Sequence, residues 1–419
     1  MGMTTHRYRI AIATVLVVVL VATSCATAKT SKERPPATQS SSTPGNWQIV
    51  LRSKQYAYPV LSCPTVDRCV AGGMAPLYYP ATNSGFPPVS VVSGVIATTQ
   101  NGGKSWSTVH TSRPITVVTC MSKLRCIAIE QGYQSSDQTG WRTFLTINGG
   151  VSWVKESSPG PVGANVLTCP STTKCIAIGG IVDAPIPQTP TDRDTALAWT
   201  SSNGGASWVK GAYPGGVPNQ LKPSMVVSIS CPSPSWCMAI TSGYPSNAPN
   251  DNGGSWISQN DGESWHLSAT ISGLGYALSC AAVDDCTVGG TAPGGKYPMW
   301  LTTTNGGLNW QGRVIKYPSA DFISSVDCIR VDFCVALVNI LPSLPKPIVG
   351  VADKLIYIHG QSAQNVPIPS GLPVLGGYES SEESGISCPT DTRCYVEMAG
   401  NGSASGNTDP REWYILRSG

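Results

Sequence analysis

Residues 62–73, from Ser62 to Gly73, read SCPTVDRCVAGG. Two cysteines enclose five residues, and a short apolar run ending in two glycines follows. The pattern returns six more times. TCMSKLRCIAIE starts at Thr119, TCPSTTKCIAIGG at Thr168, SCPSPSWCMAI at Ser230, SCAAVDDCTVGG at Ser279, DCIRVDFCVAL at Asp327 and SCPTDTRCYVEMAG at Ser387. The pairs are Cys63 and Cys69, Cys120 and Cys126, Cys169 and Cys175, Cys231 and Cys237, Cys280 and Cys286, Cys328 and Cys334, and Cys388 and Cys394. Seven copies at roughly even spacing mark an array of similar units, each too small to bury a core alone.

The composition suits strands and turns. With 44 glycines and 34 prolines in 419 residues, long helices are disfavoured. Charged residues make up 12% of the chain and the net charge is +3, spread along the sequence, so no nucleic-acid partner is indicated.

Between the cysteine pairs runs a second motif. TTQNGGKSW ends at Trp106, TINGGVSW at Trp153, SSNGGASW at Trp208, SQNDGESW at Trp265 and TTNGGLNW at Trp310. Each joins two strand-like runs. The amides Asn101, Asn148, Asn203, Asn260 and Asn305 are placed to accept hydrogen bonds from turn N–H groups, as are the hydroxyls. The glycines supply the positive φ of a tight reversal, and each tryptophan returns its ring between neighbouring sheets. A neutral amide serves a turn better than it serves a metal or a proton transfer, so the motif reads as structural.

These motifs resemble the Asp-box, or BNR-repeat, of sialidase-like β-propellers and of photosystem II assembly-factor-like proteins. The resemblance spans about the whole mature chain and implies an all-β, seven-bladed β-propeller of four-stranded antiparallel blades. The cysteines then fall on each first hairpin and the boxes on each third, on one face of the disc. The sixth blade has KLIYIHGQSAQNV in place of a box. The chain ends on REWYILRSG, a pre-box strand with no box after it, and GNWQIVLR near Trp47 is a tryptophan strand with nothing before it. The N-terminal strand is therefore expected to complete the last blade.

Residues 1–24 read as a secretion signal: a basic start, the apolar run Ile10 to Ala22, then small residues ahead of Cys25. Ala22-Thr23-Ser24-Cys25 resembles a bacterial lipoprotein lipobox, with Ala22 where leucine is usual. Acylation of Cys25 would account for the one cysteine of fifteen outside the seven pairs. Residues 25–45 read as a flexible tether and 46–419 as the propeller. The protein is expected outside the cytoplasm, anchored to the cell membrane.

Four chemistries compete for the cysteine pairs. Zinc needs about four ligands in closer spacing, and past the signal only His110, His266 and His359 could help. A redox pair is usually C-x-x-C, and seven copies would be redundant. Reduced core cysteines belong to the cytosol. Disulfides suit an exported chain, and each loop of seven residues would contribute roughly 2 kcal/mol. No metal or cofactor is expected.

Function is expected on the face away from the boxes, where loops carry Tyr78, Tyr79, Arg193, Tyr244 and Tyr378. Exposed tyrosine and arginine suit recognition. The first reading is a non-catalytic, monomeric binding or assembly scaffold for an extracytoplasmic protein or glycan. The alternative, implied by the resemblance, is a sialidase-like glycoside hydrolase. Such enzymes clamp the substrate carboxylate with three arginines, the first in R-I-P. The nearest string here is SRPIT at Arg113, and Arg68, Arg125 and Arg393 lie inside cysteine hairpins. Glu130 is the acid that breaks the Gly-Gly pattern of the second strands, and it reads equally as a solvated strand end.

Overall fold

Each cysteine pair closes a hairpin whose second strand is apolar enough to be buried on both faces. In blade 1 the inner strand Ala57–Thr65 turns at Val66 and Asp67 into Arg68–Ala75, then Ser93–Thr99, then Ser107–Thr111. The computed structural model describes residues 45–75, 93–130, 141–156, 160, 164–181, 195–215, 226–241, 252–295, 297–316, 322–339, 354–369, 385–400 and 412–419. They form seven four-stranded antiparallel sheets, six of which are consecutive meanders. The chain is a seven-bladed β-propeller. The inner strands of blades 2 to 7 are Ile115–Cys120, Ala164–Thr168, Val226–Ser233, Leu274–Cys280, Phe322–Arg330 and Ile386–Thr390. Each meets the next around a closed ring, and blade 7 meets blade 1.

The seventh sheet closes the ring. Its strands run Ile386–Thr390, Arg393–Gly400, Glu412–Ser418 and then Trp47–Ser53, the first strand of the propeller. Trp47 pairs with Ser418 and Ser53 with Trp413. The Trp47 indole donates to Tyr357 Oη of blade 6 at 3.0 Å, so the closing strand also grips the neighbouring blade.

Burial is distributed between the blades. The described residues form seven apolar clusters, each shared by two adjacent sheets. The residue two before each first cysteine packs backwards: Leu61 onto blade 7, Val118 onto blade 1, Leu278 onto blade 4. The box tryptophans Trp106, Trp153, Trp208, Trp265 and Trp310 flank these clusters between sheets, half-buried rather than enclosed.

Seven disulfides join the cysteine pairs, with Cα atoms 3.9–4.1 Å apart. They share a face with the boxes. Gly102 N–H donates to Asp67 O at 2.8 Å, and the same bond recurs from Gly149 to Leu124, Gly204 to Thr173 and Gly306 to Asp284. Within a box, Gly103 N–H donates to Thr99 Oγ1 at 2.9 Å and Ser105 N–H to Asn101 Oδ1 at 3.0 Å, while Asn101 Nδ2 donates to Ser105 Oγ at 2.8 Å. In blade 6 a tight turn at Gly360-Gln361 replaces the box.

Candidate functional site: the central channel and its ring of hydroxyls

The residue ahead of each first cysteine is Ser62, Thr119, Thr168, Ser230, Ser279, Asp327 or Ser387. On the inner strands five of these side chains reach forward to the next blade. Ser62 Oγ accepts the N–H of Cys120 at 3.0 Å, Ser230 that of Cys280 at 3.0 Å and Ser279 that of Cys328 at 2.9 Å. Asp327 accepts the N–H of Cys388 at 2.7 Å, and Ser387 accepts that of Cys63 at 2.9 Å, across the closure. A belt of oxygen acceptors thus links inner strands around the axis. Sequence reasoning passed over it, although a hydroxyl precedes the first cysteine in six of seven copies.

Asp327 is the carboxylate in this belt. Burial pushes its acid up to about 6, against the pull of the Cys388 N–H and the Ser279 hydroxyl, which lies 3.4 Å away. A serine there would make the same bond without the charge.

Beyond the belt, toward the face opposite the cysteine turns, the channel widens into a cavity of about 270 Å³. It lies among the inner strands at Pro59, Val60, Thr116, Val117, Ser228 and Ile386; Val60, Val117 and Ile229 are packed into the interblade clusters, so the wall left exposed is mainly polar. Among the described lining residues there is no arginine and no carboxylate. Such a surface favours a neutral, hydrogen-bonding segment, and its described lining offers no charge to clamp a carboxylate.

Tyr78, Tyr79, Arg193, Tyr244 and Tyr378 lie outside the described residues, as does Cys25. Glu130 is not a solvated strand end. Fully buried, it accepts from Ser112 Oγ and Arg113 N–H at 2.9 Å each and pairs with Arg142 Nη1 at 3.3 Å. It ties down the connection from blade 1 to blade 2. The hairpin cations have structural partners too. The Arg68 guanidinium lies against Gly149, Arg125 Nη2 donates to Asn203 O at 3.1 Å, and Lys174 Nζ lies 3.3 Å from Asp261 Oδ2. Each reaches from one blade to the box turn of the next. Asp261, at a φ of 59°, fills the place where the other four boxes carry the first of their two glycines.

Neither a family model nor a curated protein matches the chain. Solved structures do. YCF48 bound to a D1 peptide is similar with a TM-score of 0.52 at 11% identity, over 90% of this chain and 99% of that one. U3-55K is similar with a TM-score of 0.53 at 10% identity, over 88% and 99%. What is shared is the propeller. A Trypanosoma rangeli sialidase aligns more loosely, with a TM-score of 0.44 at 12% identity over 87% of this chain and 54% of that one, and no argument rests on it.

Proposed function

We propose that the protein is a lipid-anchored, extracytoplasmic propeller that acts as a binding scaffold for a protein partner. The observation that carries this reading is the mainly polar wall of the channel cavity, with no charged side chain among its described lining residues, where inner-strand edges and hydroxyls can hydrogen-bond the backbone of a polypeptide segment. YCF48, similar in fold, has been solved with a peptide bound, which supports carrying peptide recognition over as a proposal. The anchor rests on the Cys25 motif and on the absence of a second use for that thiol.

Two measurements test the reading. Wild-type protein should capture a specific polypeptide from detergent-solubilised envelope, and Thr116→Trp, at a cavity-lining position outside the interblade clusters, should lose it at an unchanged melting temperature. Capture that survives the filled cavity overturns the channel as the site. Turnover of a fluorogenic sialoside by the wild type, abolished by Thr116→Trp, would replace the scaffold reading with a glycosidase. Separately, Cys25→Ala should release the protein from the membrane fraction.

A further inference from the structure

The sixth blade lacks a box, and its absence leaves a space. At four of the five boxes the second glycine lies against an aliphatic side chain of the preceding blade, as Gly205 on Ile127, Gly262 on Ile176 and Gly307 on Met238, while Gly150 lies on Thr98. In blade 6, Ala363 pairs with Ile358, opposite Cys334, as the third and fourth strands reverse at Gly360-Gln361. No box tryptophan follows that turn. Between blades 5 and 6 a cleft of about 190 Å³ opens on the cysteine-turn face.

The walls of this cleft differ from those of the other junctions. Thr287 follows the second cysteine of blade 5, where the equivalent residues that meet a box are Ile127, Ile176 and Met238. It is 4% exposed, and its hydroxyl lies 3.5 Å from a disulfide sulfur, Cys334 Sγ. Asp285 precedes that cysteine, where Arg68, Arg125 and Lys174 stand in blades 1 to 3. In four boxes a serine accepts the asparagine Nδ2–H at 2.8 or 2.9 Å, but the fifth box has Asn309, whose amide lines the cleft instead. Gln361 crosses the floor, donating from Nε2 to Thr302 Oγ1 at 3.2 Å and accepting from Arg313 Nε at 2.8 Å. The cleft is therefore of mixed polarity, with hydroxyl and amide groups set beside apolar surface where most tryptophan seats are aliphatic.

The geometry points to a binding site here for an uncharged, hydroxyl-rich ligand the size of one sugar ring. Neutral groups that both give and accept hydrogen bonds are the chemistry that reads sugar hydroxyls. The volume is below the roughly 300–1,000 Å³ of sites for drug-sized ligands, which restricts the occupant to a small unit. Asp285 and Asp332 disfavour an anion. Arg330 is held by Asp332 at 3.0 Å and Asp391 at 3.2 Å, so it offers an anion no unpaired cation. The site lies on the face opposite the channel cavity and stands apart from the scaffold reading.

The test titrates the full-length protein with methyl α-glucoside, methyl β-galactoside and N-acetylglucosamine, read by saturation-transfer NMR. At least one should bind saturably in the millimolar range. Gln361→Trp should weaken that binding at least tenfold, and Gln100→Trp, on the exposed box turn of blade 1, should leave it unchanged. Asn309→Ala, at an exposed position, serves if Gln361→Trp does not fold. Saturable binding by none of the three sugars overturns the proposal, as does binding indifferent to both cleft variants. Tighter binding of N-acetyl-lysine amide, lost in the same variants, would overturn it in favour of a cationic peptide.

Discussion

Asp327 stands where the other six blades carry a hydroxyl, and its charge makes that position sensitive to pH. Its acid titrates near 6 in the fold and at the ordinary 3.8 when unfolded, so the folded state holds the proton more tightly. The stability it contributes is fully present below about pH 4 and is lost as pH rises through 6. The shift corresponds to about 3 kcal/mol. Asp327→Ser should therefore stabilise the protein relative to wild type at pH 7.5 and have little effect at pH 4. Urea unfolding midpoints at the two pH values check this, and an equal gain at both would refute the charge argument. Glycine positions separate backbone from packing. Gly205 and Gly294 have φ of 87° and 84°, but a Cβ on Gly205 would sit 2.3 Å from Ile127 Cδ1, while Gly294 has open space. Gly294→Ala should cost about 1–2 kcal/mol for the left-handed backbone alone, and Gly205→Ala distinctly more. Nothing in SCPTVDRCVAGG tells which glycine or hydroxyl meets a neighbouring blade, because those contacts join residues some fifty positions apart.

Hairpins were the most legible elements. A cysteine pair, a box and a Gly-Gln turn each complete their chemistry within about ten residues, so spacing alone identifies them. Glu130 was not legible in this way. Its strand end looked solvated until the connection carrying Ser112 and Arg113 folded over it. The independence of the blades gives an element-scale prediction. Replacing Cys280 and Cys286 with alanine should cost about 2 kcal/mol from the lost loop constraint. The loss should speed amide exchange mainly in blade 5, since each blade shares apolar surface only with its neighbours. Exchange that accelerates equally in all seven blades would show a ring opening as one unit.

For the whole molecule, closure rests on one strand from the far end of the sequence. Trp47–Ser53 pairs along Glu412–Ser418, and its tryptophan is fixed by Tyr357. Removing residues 46–53 should lower the melting temperature of the entire domain, because the last blade would lose its outer strand and two interblade clusters would lose Trp47, Val50 and Leu51. A truncated protein that melts with the wild type would contradict that account. The sequence by itself determined the number of blades, the two kinds of hairpin, the defective sixth box and the strand that closes the ring. These follow from local patterns and from counting. Only the tertiary structure decided that oxygen acceptors link the inner strands, that Arg125 and Lys174 serve the next blade's turn, that the channel wall is mainly polar, and that a cleft of mixed polarity takes the place of the missing box. Each of those depends on which faces meet when neighbouring blades pack, and a one-dimensional repeat does not record the side of a strand on which its neighbour will lie.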